Sequence, residues 1–269
     1  GHAQGHGHGA RGGALMASFR GGMGQLTGAL THALGGSLRY GLTVTRAAPA
    51  AHGRWRLALS DGASLDVDAV IFATPAHATA RIFEALDGDI AAELDAIRYA
   101  PAAHVALGYR TRDLGEAAEG TGFLVGEARR RALRACTWAS RKFPGRAPEG
   151  ATLARCSLAL DGLTDASDED LARAAMNELR DLAGVSVDPV FVRVVHIAKA
   201  MPRYEPGHQA RTGRVLERAR AWPTVAFAGN AWNGAGVADC VASGVKAARQ
   251  TATQSGTGPK AGGHTPVRG

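Results

Sequence analysis

Cysteine is scarce in this chain of 269 residues. The three present, Cys136, Cys156 and Cys240, are odd in number and have no metal-ligand spacing, which argues against a disulfide framework and points to the cytosol. No apolar run approaches the ~20 residues that span a bilayer. The first residues lack a basic stretch, an apolar stretch and a cleavage site, so secretion is not indicated. Aromatic residues make up only 6%. The net charge of +7 is dispersed and carries no aromatic-interleaved basic stripe, so nucleic acid is not the expected partner. An anionic small molecule or a lipid head group suits the charge at least as well. No Ser lies in G-x-S-x-G. The early "GGMGQLTG" has no preceding strand, its third Gly falls one residue late for G-x-G-x-x-G, and it lacks Gly-Lys-Ser/Thr.

Alternating patterns fill the rest. "GQLTGALTHAL" has helical spacing and stops at Gly35 and Gly36. "YGLTVTRAA" and "GRWRLALSDG" read as strands, as does the apolar "LDVDAVIFATP". Thr74 as N-cap and Pro75 at the first helical position open a helix through Leu86. "AAHVALGYR", "TGFLVG", "ALRACTWAS" and "ATLARCSLAL" read as strands of a second sheet. "DASDEDLARAAMNELRDLAG" is a helix with capping-box spacing between Ser167 and Asp170 and a stop at Gly184. "DPVFVRVVHIA" is a further strand. "TVAFAG" is a buried strand leading into the Gly-rich "NGAGVAD" and a last helix beginning near Asp239.

One domain interrupted by another follows from this order. Residues 1–20 read as a Gly/His-rich linker and 251–269 as a disordered tail. Residues 21–97 and 201–250 form the outer domain, and 98–200 a mostly β insert. The expected fold class is therefore α/β and α+β, a partial Rossmann-like domain interrupted by a mostly β domain.

Several isolated features weigh toward ordinary roles. His2, His6 and His8 alternate in a Gly-rich segment, but no acid or Cys completes a metal site, and a linker is the favoured reading. Cys240 at a helix start is either a reactive thiol or a small core residue, with burial favoured. The cations of "ASRKFPGRAPEG" suit either a solvated hairpin loop or carboxylate recognition. No acid/base pair stands out, so catalytic residues stay unassigned.

Taken together and in order, "FRGGMGQLTGAL", "VDAVIFATPAHA", "CTWASRKFPGRAPEG", "AMPRYEPGH" and "AGNAWNGAGVADCVASG" resemble the C-terminal portion of the bacterial protoporphyrinogen and coproporphyrinogen oxidases. These are FAD enzymes of haem synthesis. The resemblance runs from about Ala17 to Ala248, and the middle motifs set it apart from amine oxidases and carotenoid desaturases. Val194 departs from it, standing near a position where Trp is usual.

The resemblance implies FAD as cofactor, with 21–97 and 201–250 as its binding domain and 98–200 as part of the substrate domain. Gly234, Ala235, Gly236 and Val237 match positions lining the flavin, with the glycines allowing close backbone approach. Val44 matches a contact beside the adenine, and Ala73 with Thr74 a strand-to-turn near the cofactor. Leu124 matches a substrate-pocket position, and either Arg155 or Cys156 another. Lys142, Arg146 and Arg203 are candidates for propionate contacts.

The activity so implied is oxidation of a porphyrinogen, coproporphyrinogen III or protoporphyrinogen IX. It proceeds by hydride transfer to flavin, with oxygen as acceptor. Partners implied are the porphyrinogen, an N-terminal half bearing the pyrophosphate-binding turn, or a second copy. Localisation is cytoplasmic, at most peripheral to a membrane. The chain reads as N-terminally truncated. Alternatives are an inactive fragment or a porphyrin- or FAD-binding remnant, or another flavin oxidoreductase of the amine-oxidase type.

Overall fold

The computed structural model describes residues 18–126, 131–160 and 165–256. His2, His6 and His8 lie outside the described residues, as does the part of the expected tail beyond residue 256. In chain order come α1 (Gly24–Leu34), β1 (Val44–Pro49), β2 (Trp55–Leu59), β3 (Ser64–Val67), β4 (Val70–Phe72), α2 (Ala76–Phe83), α3 (Gly88–Asp95) and β5 (Tyr99–Arg110). There follow α4 (Thr111–Leu114), β6 (Gly122–Leu124), β7 (Leu133–Trp138), α5 (Ala139–Lys142) and β8 (Ala151–Leu158). The chain ends with α6 (Asp168–Ala183), β9 (Phe191–Pro202), α7 (His208–Arg218), β10 (Val225–Phe227) and α8 (Val237–Gln254).

Two compact units result. Described residues 18–38 group with Ala103–His196, and Arg39–Ala102 groups with 197–256. The chain passes between units within β5 and β9. This differs from the sequence expectation at one end: α1 belongs with the mostly β unit, not with the segment that follows it. It buries none of its residues.

The second unit holds the antiparallel sheet β1-β2-β3 and the parallel pair β10-β4. "LDVDAVIFATP" is thus two strands in two sheets rather than one. β4 and β10 are fully parallel, with Val225 opposite Val70 and Phe227 opposite Phe72. Few as the aromatics are, they concentrate here. Phe72, Phe83 and Phe227 pack ring to ring, with Trp222 against Phe83 and Trp232 against Phe227. The Trp55 indole donates to Thr224 Oγ1 at 3.0 Å, tying β2 to the start of β10.

Thr74 does not cap α2. Pro75 holds the N-cap position, and Thr74 Oγ1 instead meets Thr79 Oγ1 at 2.8 Å. The helix stops at Phe83, and a second one, α3, begins where the Asp87 carboxylate accepts from the amides of Asp89 and Ile90, both at 3.0 Å. α8 begins at Val237, two residues before the expected start, and runs through Gln254, into the stretch expected as tail.

The first unit is one sheet, order β6-β7-β8-β5-β9. Its burial alternates: along β8, Thr152, Ala154, Cys156 and Leu158 are buried and Arg155 is exposed. α6 covers the buried face with Leu171, Ala175 and Leu179. It starts as read from sequence, with Ser167 Oγ accepting from Asp170 N at 3.1 Å, and ends at Gly184 in the left-handed region.

Candidate functional site

Because β4 and β10 are parallel, their C-terminal ends meet at one edge, where open parallel sheets receive ligands. Ala73 and Thr74 leave β4 there, and the glycine turn leaves β10 there. Ala228 N donates to Phe72 O at 3.0 Å, extending the pairing past the strand. Gly229 follows with φ +107, its amide donating to Ser243 Oγ of α8 at 2.9 Å. Val44 lies apart, at the start of β1, packed against the aromatic core.

Asp239 shapes the turn from α8. Its Oδ2 accepts from Gly236 N at 3.2 Å. Gly234 has φ +144, and a Cβ there would lie 2.5 Å from the Asp239 carboxylate. Glycine at 234 is therefore required by the turn itself, before any ligand is considered. By helix geometry the amides of Val237 and Ala238 have no intrahelical partner.

Two further residues hold the turn, and the residue-level reading of the sequence did not single them out. The Tyr204 phenol accepts from Gly234 N at 3.0 Å and donates to the Asn230 carbonyl. Burial raises the Tyr204 pKa, only partly offset by the Gly234 amide, so the phenol stays a donor. His208 stacks on Tyr204, ring centroids 4.4 Å apart, and its Nε2 lies 2.9 Å from Ala231 O. The signal lay in "PRYEPGH": Gly207, at φ +90, turns the chain so that His208 opens α7. Arg203 is exposed beside them, its amide bonded to Arg98 O at 2.8 Å.

A carboxylate at the start of α8 bears on what the turn can hold. Asp239 already occupies the positive end of the helix. A pyrophosphate would meet that like charge, whereas a neutral ring bearing carbonyls would not. The residues present thus fit the flavin end of a dinucleotide better than its phosphates.

In the other unit, the sheet face opposite α6 carries two of the expected substrate positions, Leu124 and Arg155. Gly122, Thr137, Arg155 and Ala106 stand in one cross-strand row, and Leu124, Ala135, Ser157 and His104 in the next. Leu124 is 86% exposed. Arg155 reaches His104 Nε2 at 3.2 Å, and Ser157 Oγ lies 3.1 Å from His104 Nδ1. Burial, then the Arg155 charge, lowers the His104 pKa, which favours the neutral ring. Arg155 and Cys156 were alternatives for one position, and the structure separates them. Cys156 is on the packed face, fully buried opposite Cys136. Its hydrogen bond with Cys136, then burial, pushes its thiol far up.

Arg146 is engaged elsewhere. Its guanidinium donates to Ser18 Oγ at 2.7 Å and Phe19 O at 2.8 Å and lies over the Phe143 ring. It joins the segment before α1 to the loop after α5. Lys142 also lies over Phe143, 5.7 Å from its centroid. Among the described residues no group of three or more His, Cys, Asp or Glu is placed to hold a metal ion.

Comparison with known proteins bears on the whole chain. Residues 3–252 match the family of flavin containing amine oxidoreductases. The chain belongs to this family. Among these flavoproteins it is 32% identical over 203 residues to coproporphyrinogen III oxidase of Bacillus subtilis, covering 74% of this chain and 43% of that protein. It is 34% identical over 230 residues to coproporphyrinogen III oxidase of Propionibacterium freudenreichii, covering 83% of this chain and 42% of that protein. A solved structure assigned as a protoporphyrinogen oxidase, from Exiguobacterium, superposes with a TM-score of 0.77 at 26% identity, covering 89% of this chain and 52% of that one. The chain thus spans less than half the length of these curated relatives. Its mixed helix and strand architecture is that of the flavin oxidoreductases.

Proposed function

We propose that the chain forms part of an FAD-dependent porphyrinogen oxidase of haem biosynthesis, with coproporphyrinogen III favoured over protoporphyrinogen IX as substrate. The observation carrying this reading is the glycine turn at the carboxyl edge of β4 and β10, in a chain 32% identical to coproporphyrinogen III oxidase of Bacillus subtilis. The flavin, when bound, would supply a two-electron acceptor for hydride from a meso carbon; three rounds would remove three hydrides and three protons, two of the protons from pyrrole nitrogens and one from the remaining meso carbon, with oxygen as the final acceptor.

The chain's own residues then position and select. Gly234, Ala235, Gly236 and Val237 present backbone to the flavin, with Ala73 and Thr74 at the same sheet edge, and Val44 serves the adenine side. Leu124 and the small residues beside it offer an apolar face to a flat tetrapyrrole. Arg155 offers a fork to a propionate, and Lys142 and Arg203 are further cations for the carboxylates. The pyrophosphate contacts come from a segment corresponding to the unmatched part of the relatives, in the same polypeptide or another. Cytoplasmic placement goes with this reading.

The test is to add FAD to the purified chain and record the flavin spectrum and porphyrin fluorescence with coproporphyrinogen, alone and with the complementary segment. Retained flavin and porphyrin formation with that segment are expected. Flavin retention without porphyrin would sink the substrate. No flavin retention in either case would sink the whole reading.

A further inference from the structure

We infer that Tyr204 and His208 are positioning residues that set the backbone of the 230–236 turn for the flavin, an inference that rests on the function proposed above. One hydroxyl joins two points of the turn: it accepts from Gly234 N at 3.0 Å and donates to the carbonyl of Asn230. A carbonyl can only accept, so His208 Nε2 carries the proton and donates to Ala231 O at 2.9 Å. The two rings are stacked 4.4 Å apart, so each limits the other's rotation.

The clamp is not carried by the turn. His208 is the first residue of α7, and α7 is tied to α3 and its cap by Arg211 and Arg214 on Glu93 and by Arg218 on Asp87. Asp239 and Ser243 of α8 hold the ends of the turn at Gly236 and Gly229, and Tyr204 and His208 hold Asn230, Ala231 and Gly234 between them. Gly229 and Gly234 sit at φ +107 and +144, where glycine is freest. Removing the Tyr204 hydroxyl would release a donor and an acceptor together, and the turn's amides would lose their fixed direction.

Tyr204→Phe keeps the ring and the stacking and removes only the hydroxyl. Without flavin, the Gly234 amide is expected to exchange with deuterium about tenfold faster in the variant, while amides of β10 and α7 exchange as before. In an FAD titration of the same chain with its complementary segment, affinity should fall about tenfold. His208→Gln, which keeps a donor, should protect the turn, and His208→Leu should not. Unchanged Gly234 exchange in Tyr204→Phe, or equal protection in the two His208 variants, would overturn the clamp. Faster exchange with unaltered FAD affinity would overturn its role toward the flavin. If the unsubstituted protein binds no FAD, the proposed function falls and the flavin role with it, while the exchange rates still decide the clamp.

Discussion

Gly234 shows how one missing carbon sets a local structure. At φ +144 any side chain is strained, and a Cβ would press on the Asp239 carboxylate at 2.5 Å. Gly234→Ala is expected to destabilise the chain by about 1–3 kcal/mol, which thermal unfolding would show as a fall of several degrees. An unchanged melting temperature would mean that the turn relaxes freely. The cysteines make a second residue-scale case. Cys136 and Cys156 are buried against each other, and Cys240 is half-buried at the start of α8. A thiol reagent should label Cys240 first and reach the other two only on unfolding. The sequence placed Cys240 at a helix start and favoured burial there; it is only half-buried, because burial depends on which neighbours arrive. For the same reason Arg155 and Cys156 were interchangeable on paper: adjacent residues of a strand face opposite ways, and only the packed face of α6 says which way is in.

At the scale of elements, capping was legible where side chain and backbone act within a few residues. Ser167 and Asp170 begin α6 as their spacing requires. Ser167→Ala should cost about 1 kcal/mol in a denaturant titration, through the lost cap. Asp87 caps α3 and pairs with Arg218 of α7 at 2.7 Å. Burial works to raise its pKa, but Arg218 and the amides of Ile90 and Asp89 prevail and lower it. Asp87→Ala should therefore be the costlier of the two, about 2 kcal/mol. Equal effects would show the ion pair to be idle. α3, α7 and the split between β3 and β4 were not read from sequence. Their patterns are weak, and the break between β3 and β4 is only Asp68 and Ala69, inside a stretch that reads as one strand but whose two halves join different sheets.

Across the whole molecule, acid should weaken the fold in two steps. Burial lowers the pKa of His77 and His104 below the usual 6.5, helped by Lys199 and Arg81 at His77 and by Arg155 at His104. Asp95 opposes this at His77. In that window the unfolded chain binds more protons, so stability is complete above pH 6.5 and falls as pH drops below it. The carboxylates of Asp87 and Glu93, with pKa values below the usual 3.8 and 4.5, add a further loss at lower pH. Replacing both histidines with Gln should flatten the melting temperature just below pH 6.5. A slope as steep as before would rule out their part. Exposed apolar stripes also act at this scale. Val237, Val241 and Val245 lie along α8 at 55%, 54% and 45% exposure, and Leu30 and Leu34 of α1 are exposed as well. The chain alone should self-associate in size-exclusion chromatography. Val241→Glu with Val245→Glu should shift it toward monomer, and a monomeric unsubstituted chain would contradict the expectation.

By itself the sequence determined what short-range rules govern: most strands, the ends of α6, the glycine turn and, through several motifs in order, the family. Tertiary structure decided what distant segments do to one another. It set Tyr204 against Gly234 and His104 against Arg155, turned Cys156 inward, and occupied Arg146 with the chain before α1. These pairings join residues up to 128 positions apart. Local propensity has no term for such distances, because the geometry that joins them exists only once the sheets and helices have packed.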